Sequence, residues 1–380
     1  MEYVYPVRIY LDNAATTPVV PEVIDVIVRC LGEDFGNPSS AHRLGLVAAA
    51  WVKRARAQLV DALGDGQIVF TSGGTEANAL AILGAARRGR DATVVVSAVE
   101  HPSVLGAAEK AGRVVSVPVG ADGVVSAAAM ADAVGPDTTV VALMLVQNEL
   151  GTIQPVADVV RLVRAKNDRV HIHCDAVQAI GKIHVSANAL GVDSLALSAH
   201  KLHGPKGVGA LWLRKGVSVA PLWTGGGQEG GLRSGTENVP GIAGLGEAVA
   251  RATASLDDDA ARMAHLRDGL VAALVAATGA RLNGGAAPRA PHIASLSLPG
   301  VPAEPLLHAI EERGVYVSAG SACHAKGAAK KQSHVLAAIG VPDTAGTIRV
   351  SLSRLTTSDD VDAAEHAIIG AMRDLAQLLP

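Results

Sequence analysis

Aromatic side chains are nearly absent from this chain, which has three tryptophans, four tyrosines and two phenylalanines in 380 residues. Its interior must be filled by Ala, Val and Gly, so close packing of small side chains replaces aromatic clusters. Cysteine is as scarce. Cys30, Cys174 and Cys323 share no CxxC spacing, which excludes a disulfide framework and agrees with a reducing compartment. An excess of one charge is also missing. A formal net charge of -3 gives no footprint for direct contact with nucleic acid or a membrane surface. No apolar run approaches a membrane span, and the opening residues MEYVYPVRIYLDNAATTP carry charge and proline where a signal peptide needs an apolar core. A cytoplasmic location is the expectation.

What the chain does have is length and apolar bulk. At 380 residues and 49% hydrophobic, it exceeds the usual size of one core, so a large domain plus a smaller one is expected. Short Val-rich runs at 68–71, 93–97, 114–117, 140–145 and 170–174 are mostly separated by helical stretches at 76–88, 102–110, 127–134 and 156–166. Buried strands alternating with helices predict a mostly parallel sheet covered on both faces. A helix is expected at 21–31 and an Ala-rich one at 44–63. A long helical region at 239–278 then leads to strands near 293–298, 315–317 and 348–352. The domain boundary is placed inside that helix, near Asp257, giving a large domain over 19–257 and a small α+β domain over 1–18 plus 258–380.

Three stretches carry candidate chemistry. SAHKLHGPKG, from Ser198 to Gly207, lies between two apolar strand-like runs. A lysine held in a turn between buried strands would have its pKa lowered by its surroundings and could form a Schiff base, although a solvated loop lysine is the ordinary alternative. Ser72-Gly73-Gly74-Thr75-Glu76 follows a strand and opens a helix. Its glycines and free N–H groups favour a phosphate, or it is simply a glycine-rich helix entry capped by a threonine. It lacks the full P-loop and dinucleotide fingerprints, so a smaller phosphate ligand fits better than a nucleotide.

In His171-Ile172-His173-Cys174-Asp175, strand alternation puts His171, His173 and Asp175 on one face. No second ligand cluster at suitable spacing supports a metal site. An acid at the carboxyl edge of a parallel sheet is the other interpretation, and Cys174, on the opposite face, reads as a core residue. Lysine, phosphate cup and acid together are the set needed to hold pyridoxal 5'-phosphate, whose ring acts as an electron sink. His101, in Glu100-His101-Pro102, offers a flat side chain to cover the ring.

The chain resembles the cysteine desulfurases of the NifS/IscS-like class, within the fold-type I, class-V aminotransferase superfamily. The resemblance rests on YLDNAATTP, FGNPSS, FTSGGTEANALAI, EHPSVL, QNELGTIQP, HCDAVQAIGK, SAHKLHGPKGVGAL, GGGQE, RSGTENV, GSAC, SHVLAAIG and IRVSLSRLTT, in family order over nearly the whole chain. It implies a fold-type I transferase with a large mostly parallel-sheet domain and a smaller α+β domain. By the same resemblance, Lys201 is the Schiff-base lysine, with Ser198 and His200 beside it on the phosphate side, and Lys206 is not.

The resemblance also implies that Gly74 and Thr75 bind the phosphate, His101 stacks on the ring, Asp175 pairs with the pyridine nitrogen and Gln178 reaches the ring hydroxyl. Thr236 would reach the cofactor phosphate of the other subunit in a homodimer, and Asn148 and Arg349 would receive the carboxylate of L-cysteine. Cys323 would be the nucleophile that takes the substrate sulfur as a persulfide, leaving L-alanine, and passes it to an acceptor protein, as in iron-sulfur cluster biogenesis. His324, Lys326, Lys330 and Lys331 would favour a thiolate there, or would be a solvated loop surface.

After GSAC the relatives usually read close to TSGSLEP before the following S-[HY]-V-L. This chain reads HAKGAAKKQ, longer by two residues, without the Pro and Glu and with three lysines. That departure bears on the acceptor and suggests one with an acidic docking face. Selenocysteine lyase or cysteine sulfinate desulfinase activity on the same fold is the alternative enzyme, and a non-catalytic sulfur-carrier scaffold is the alternative of another class.

Overall fold

The computed structural model describes residues 8–86, 92–298, 300–319 and 333–378. The Val-rich runs form one seven-stranded sheet from Gln67–Thr71 (β2), Thr93–Ser97 (β3), Arg113–Val117 (β4), Thr138–Met144 (β5), His171–Asp175 (β6), Ser194–Ser198 (β7) and Gly209–Leu213 (β8). Their order is β2-β8-β7-β6-β5-β3-β4. The pairs β3–β4, β3–β5, β5–β6 and β6–β7 are parallel, whereas β8 runs antiparallel to both β7 and β2. Two reversals cancel, so β2 points the same way as β7. The carboxyl ends of β2, β3, β5, β6 and β7 therefore share one edge of the sheet, where ligands of such folds bind.

Strand alternation splits the core. Ile68, Phe70, Ile172, Cys174 and Trp212 belong to one buried cluster with Pro21–Gly32 (α1), Arg43–Leu63 (α2), Ala127–Asp132 (α5), Val156–Lys166 (α6) and Val239–Ala254 (α8). Val69, Val94, Val96 and Leu211 belong to another with Gly74–Ala86 (α3) and Pro102–Ala111 (α4). Burial on both faces is why these strands are apolar throughout rather than alternating. Each fully buried Val, Leu or Ile contributes about 1.5–3 kcal/mol. Cys174 is a buried member of the first cluster.

A second set of elements packs apart from this sheet. Ile293–Leu298 (β10) lies antiparallel between Gly346–Ser351 (β12) and Arg281–Leu282 (β9), and Ile9–Tyr10 (β1) pairs in parallel with Val315–Tyr316 (β11). Ile9, Leu11, Leu296, Ile348 and Val350 form one cluster with residues of Leu256–Thr278 (α9), Ala303–Glu311 (α10) and Ser358–Leu378 (α12). His334–Ala338 (α11) instead sets Val335 and Leu336 against Val99 and Leu150 of the large sheet's loops.

The long helix expected over 239–278 is two helices, α8 and α9, broken at Ser255. Ser255 Oγ donates to Asp259 Oδ2 at 2.6 Å, and Asp257, Asp258 and Asp259 crowd the first turn of α9. An acidic triplet is favourable at a helix start and unfavourable in mid-helix, so the chain starts again there. The helix expected from Glu76 begins two residues earlier, at Gly74. Among the described residues no helix is long and apolar enough to cross a membrane.

Candidate active site

Lys201 lies in a short 3-10 turn, Ala199–Lys201, between β7 and the start of β8. Residues 12–20 form a strap across this turn. Thr17 N donates to His200 O at 2.9 Å, Thr17 Oγ1 to the same oxygen at 3.0 Å, and His203 N to Thr17 Oγ1 at 2.7 Å. His203 closes the turn in the left-handed region, φ 66°, and its Nδ1 lies 2.9 Å from Pro18 O. The strap thereby brings two carbonyls to Lys201, whose Nζ donates to Ala14 O at 2.6 Å and Ala15 O at 2.7 Å. The other lysine of the stretch, Lys206, is exposed. Burial, with the charges of Lys201 and Lys206, lowers the His200 pKa to about 4, so at neutral pH its imidazole is uncharged beside the lysine.

Opposite this turn α3 begins at Gly74. The first-turn N–H groups of a helix have no partner within it, and the dipole there favours an anion. Glycine is required by close approach: a Cβ on Gly74 would lie 2.7 Å from Val177 Cγ2, and one on Gly209 2.7 Å from the backbone of Gly73. Glu76 braces the entry, its Oε2 accepting from Ser72 N at 2.7 Å and its Oε1 from Arg233 Nε at 3.0 Å.

Asp175, at the end of β6, is 5% exposed and accepts from Val177 N at 3.0 Å and from Asn78 Nδ2 at 2.8 Å. Asn78 also donates to Ser103 Oγ at 2.9 Å, and Ser103 Oγ lies 2.7 Å from His101 Nδ1. His101 caps α4 with that nitrogen, which accepts from Ser103 N at 3.1 Å. On the fourth side Arg349, on β12, is 2% exposed. It donates through Nη2 to Asp12 Oδ1 at 2.7 Å and through Nη1 to Asn148 O at 3.0 Å, while its buried Nε meets no acceptor. Gln178 Nε2 donates to Ala14 O at 2.8 Å.

The four sides meet around one cavity of about 250 Å³. Gly74, Thr75, His101, Asn148, Asp175, Gln178, Ser198, His200, Lys201 and Arg349 line it, together with Ala14, Ala15, Asn78 and Ser103. An anion at the start of α3, a carbonyl carbon near the Lys201 amine, a protonated ring nitrogen at Asp175 and a carboxylate at Arg349 all suit this donor set. Thr236 is exposed and is not part of the wall. Cys323, with His324, Lys326, Lys330 and Lys331, lies outside the described residues. No group of three or more His, Cys, Asp or Glu residues that could hold a metal ion occurs among the described residues.

Sequence reasoning passed over Asn78, Ser103 and the Ala14 and Ala15 carbonyls. Asn78 did leave a signal: it is the one polar residue in the apolar stretch Ala77–Ala86, where a buried amide needs partners. The carbonyls left none, because they act through backbone atoms of residues nearly two hundred positions from Lys201.

A family model, aminotransferase class-V, matches residues 9–364. The chain is 40% identical over 385 residues to the cysteine desulfurase IscS of Methanosarcina thermophila, an alignment covering 98% of this chain and 94% of that one. It is 43% identical over 371 residues to a cysteine desulfurase of Bradyrhizobium diazoefficiens, covering 95% and 93%. Among solved structures, a NifS-like protein superimposes with a TM-score of 0.90 at 38% identity, over 97% of this chain and 100% of that one.

Proposed function

Because the chain belongs to the class-V aminotransferase family and, within it, to the cysteine desulfurases, we propose that the cavity between α3 and the Lys201 turn binds pyridoxal 5'-phosphate and L-cysteine, and that Cys323 receives the sulfur. The observation that carries this reading is the convergence of Lys201, the α3 start, Asp175 and Arg349 on one cavity from four distant segments. Gly74, Thr75, Ser198 and His200 would hold the phosphate, with Lys201 bonded to the aldehyde carbon, Asp175 opposite the ring nitrogen, Gln178 near the ring hydroxyl and His101 over the ring. When bound, the cofactor would draw electrons away from the substrate α-carbon.

The chain's own residues do the rest. Arg349 is held by Asp12 and Asn148 O with Nε left over, so a substrate carboxylate entering the cavity meets a guanidinium already fixed in orientation. The neutral imidazole of His200 adds no charge beside Lys201, while the two carbonyls on Nζ aim the amine. In the overall step the carbon–sulfur bond of L-cysteine breaks and a sulfur–sulfur bond forms on Cys323. In net terms the proton lost by the Cys323 thiol takes the place of sulfur on the substrate β-carbon, giving L-alanine and a persulfide that an acceptor then takes. Arg349 and Asn148 select an amino acid carboxylate.

The proposal extends to assembly. Arg233–Glu76 ties the segment bearing Thr236 to the α3 entry, and Arg56–Glu229 ties the Gly-rich segment to α2, with Glu229 also accepting from Phe70 N of β2 at 3.0 Å. Thr236 itself is exposed, and so are the apolar side chains of Ile24, Val28, Leu31, Phe35 and Leu46. These features support a homodimer in which Thr236 serves the other subunit's phosphate. The division at about Asp257 is part of the same proposal, supported by two apolar clusters that, Ala290 apart, fall in the two proposed domains. So is a cytoplasmic site of action, supported by the unpaired, buried Cys30 and Cys174.

The test is alanine release from L-cysteine by protein loaded with pyridoxal phosphate, compared with a Cys323→Ser variant. Loss of nearly all turnover in the variant is expected. Retained turnover would favour selenocysteine lyase or sulfinate chemistry, where Cys323 is dispensable.

A further inference from the structure

Asn78 is 1% exposed and makes three polar contacts within one buried network. We propose that Asn78 is a positioning residue, which fixes Asp175 at the cavity wall and holds His101 with its ring proton on Nε2.

The proton positions follow from groups whose roles are not in doubt chemically. The Asp175 carboxylate accepts, so the Asn78 atom 2.8 Å from its Oδ2 is the amide nitrogen. The amide oxygen then faces His173 Nε2 at 2.9 Å, and that nitrogen must carry a proton. His173 is fully buried, and burial with neighbouring His171 lowers its pKa to about 3, so the ring is neutral and its Nδ1 is bare. Nδ1 accepts the Ser194 hydroxyl proton at 2.8 Å, and Ser194 Oγ in turn accepts from His171 Nε2 at 2.8 Å.

In the other direction, Asn78 Nδ2 donates to Ser103 Oγ at 2.9 Å. Ser103 is left with its own proton to give, and the acceptor 2.7 Å away is His101 Nδ1. The same nitrogen accepts from Ser103 N at 3.1 Å. Two donors on Nδ1 leave no place for a proton there, so the neutral ring carries it on Nε2.

Two consequences follow. His101 enters the reaction as a donor at Nε2, and it cannot take a proton at Nδ1 without expelling both Ser103 donors. An amide does not relay protons, so the chain from His171 to His101 orients groups and does not conduct. A neutral His173 behind Asn78 also keeps a second positive charge away from Asp175, leaving the carboxylate free to pair with a cation from the cavity side.

The proton assignment stands on the protein alone, whereas its consequence for the cofactor rests on the proposed pyridoxal phosphate site. The experiment separates the two. Full-length protein labelled with 15N-histidine is studied by long-range 1H–15N correlation with the cofactor removed and then restored, and the His101 signals are identified by their loss in His101→Gln. The expected pattern is a protonated Nε2 and a bare, hydrogen-bonded Nδ1 at neutral pH. A proton on Nδ1, or a doubly protonated ring, would overturn the proposal.

In Asn78→Leu the two tautomers should mix, and pyridoxal phosphate binding, read from its visible absorbance, should weaken about ten-fold through loss of a charge-assisted hydrogen bond to Asp175. An unchanged tautomer with unchanged affinity would overturn it. Should that variant not fold, Ser103→Ala removes one of the two donors at the start of α4; a shifted Nδ1 resonance is expected, and an unmoved one counts against the network. If the unaltered protein takes up no cofactor at all, the site reading fails while the tautomer measurement still decides the proton assignment.

Discussion

Glu100 offers the largest electrostatic effect that can be worked from the structure. Its carboxyl is fully buried beside His101. Oε1 accepts from Ser97 Oγ and from Met144 N, both at 3.0 Å, and Oε2 meets no partner. Burial, with the Asp175 charge adding to it, pushes its pKa from the ordinary 4.5 to about 8, against the pull of the Met144 N–H and the Ser97 hydroxyl. Between those two values the folded protein holds a proton that the unfolded chain releases, so this group's contribution to stability falls as pH rises. The fall is complete above about pH 8.

At roughly 1.4 kcal/mol per pH unit, the full effect is on the order of 5 kcal/mol. Glu100→Gln keeps the shape and removes the titration. The variant should lie within about 1 kcal/mol of the unaltered protein near pH 5, where the folded carboxyl is neutral and the unfolded one has only begun to favour ionisation. It should be more stable by several kcal/mol near pH 8.5. Urea unfolding of both proteins at pH 5, 6.5 and 8.5 measures this, and titrations of all other groups cancel in the comparison. A stability difference that stays flat with pH would show that the carboxyl is ionised in the fold throughout, and the burial argument would fail.

Three further outcomes are expected. Lys201→Ala should abolish both the visible cofactor band and turnover, and a surviving band would mean that another amine, Lys206 included, bonds the cofactor. Asp12→Asn removes the counter-ion that fixes Arg349 and should raise KM for L-cysteine about ten-fold with a smaller change in kcat, since loss of an ion partner at a buried guanidinium weakens its aim as well as its fold; steady-state kinetics showing an unmoved KM would count against the carboxylate role. Replacing Lys326, Lys330 and Lys331 with Glu should slow persulfide transfer to the acceptor while leaving alanine formation with a chemical reductant unchanged, and equal transfer rates would remove the acidic docking face from consideration.

By itself the sequence determined the alternation of buried strands and helices, because a period of two or 3.6 is written into consecutive residues. It likewise determined the lysine turn, the glycine-rich helix entry and the acid at a strand end, whose chemistry is local to a few neighbours. Only the tertiary structure decided how these meet. The two antiparallel pairings of β8 bring the end of β2 to the same edge as β6 and β7, and no local pattern encodes that cancellation. The strap that puts Ala14 and Ala15 carbonyls on Lys201, and the pairing of Asp12 with Arg349 across the chain, depend on backbone and side-chain contacts between segments nearly two hundred and more than three hundred residues apart. Asn78 shows the same division on a single residue. Its burial in an apolar helix was legible from its neighbours, but its part in setting His101 and Asp175 exists only because β3 and β6 end beside the start of α3, where hydrogen bonds rather than sequence position choose the partners.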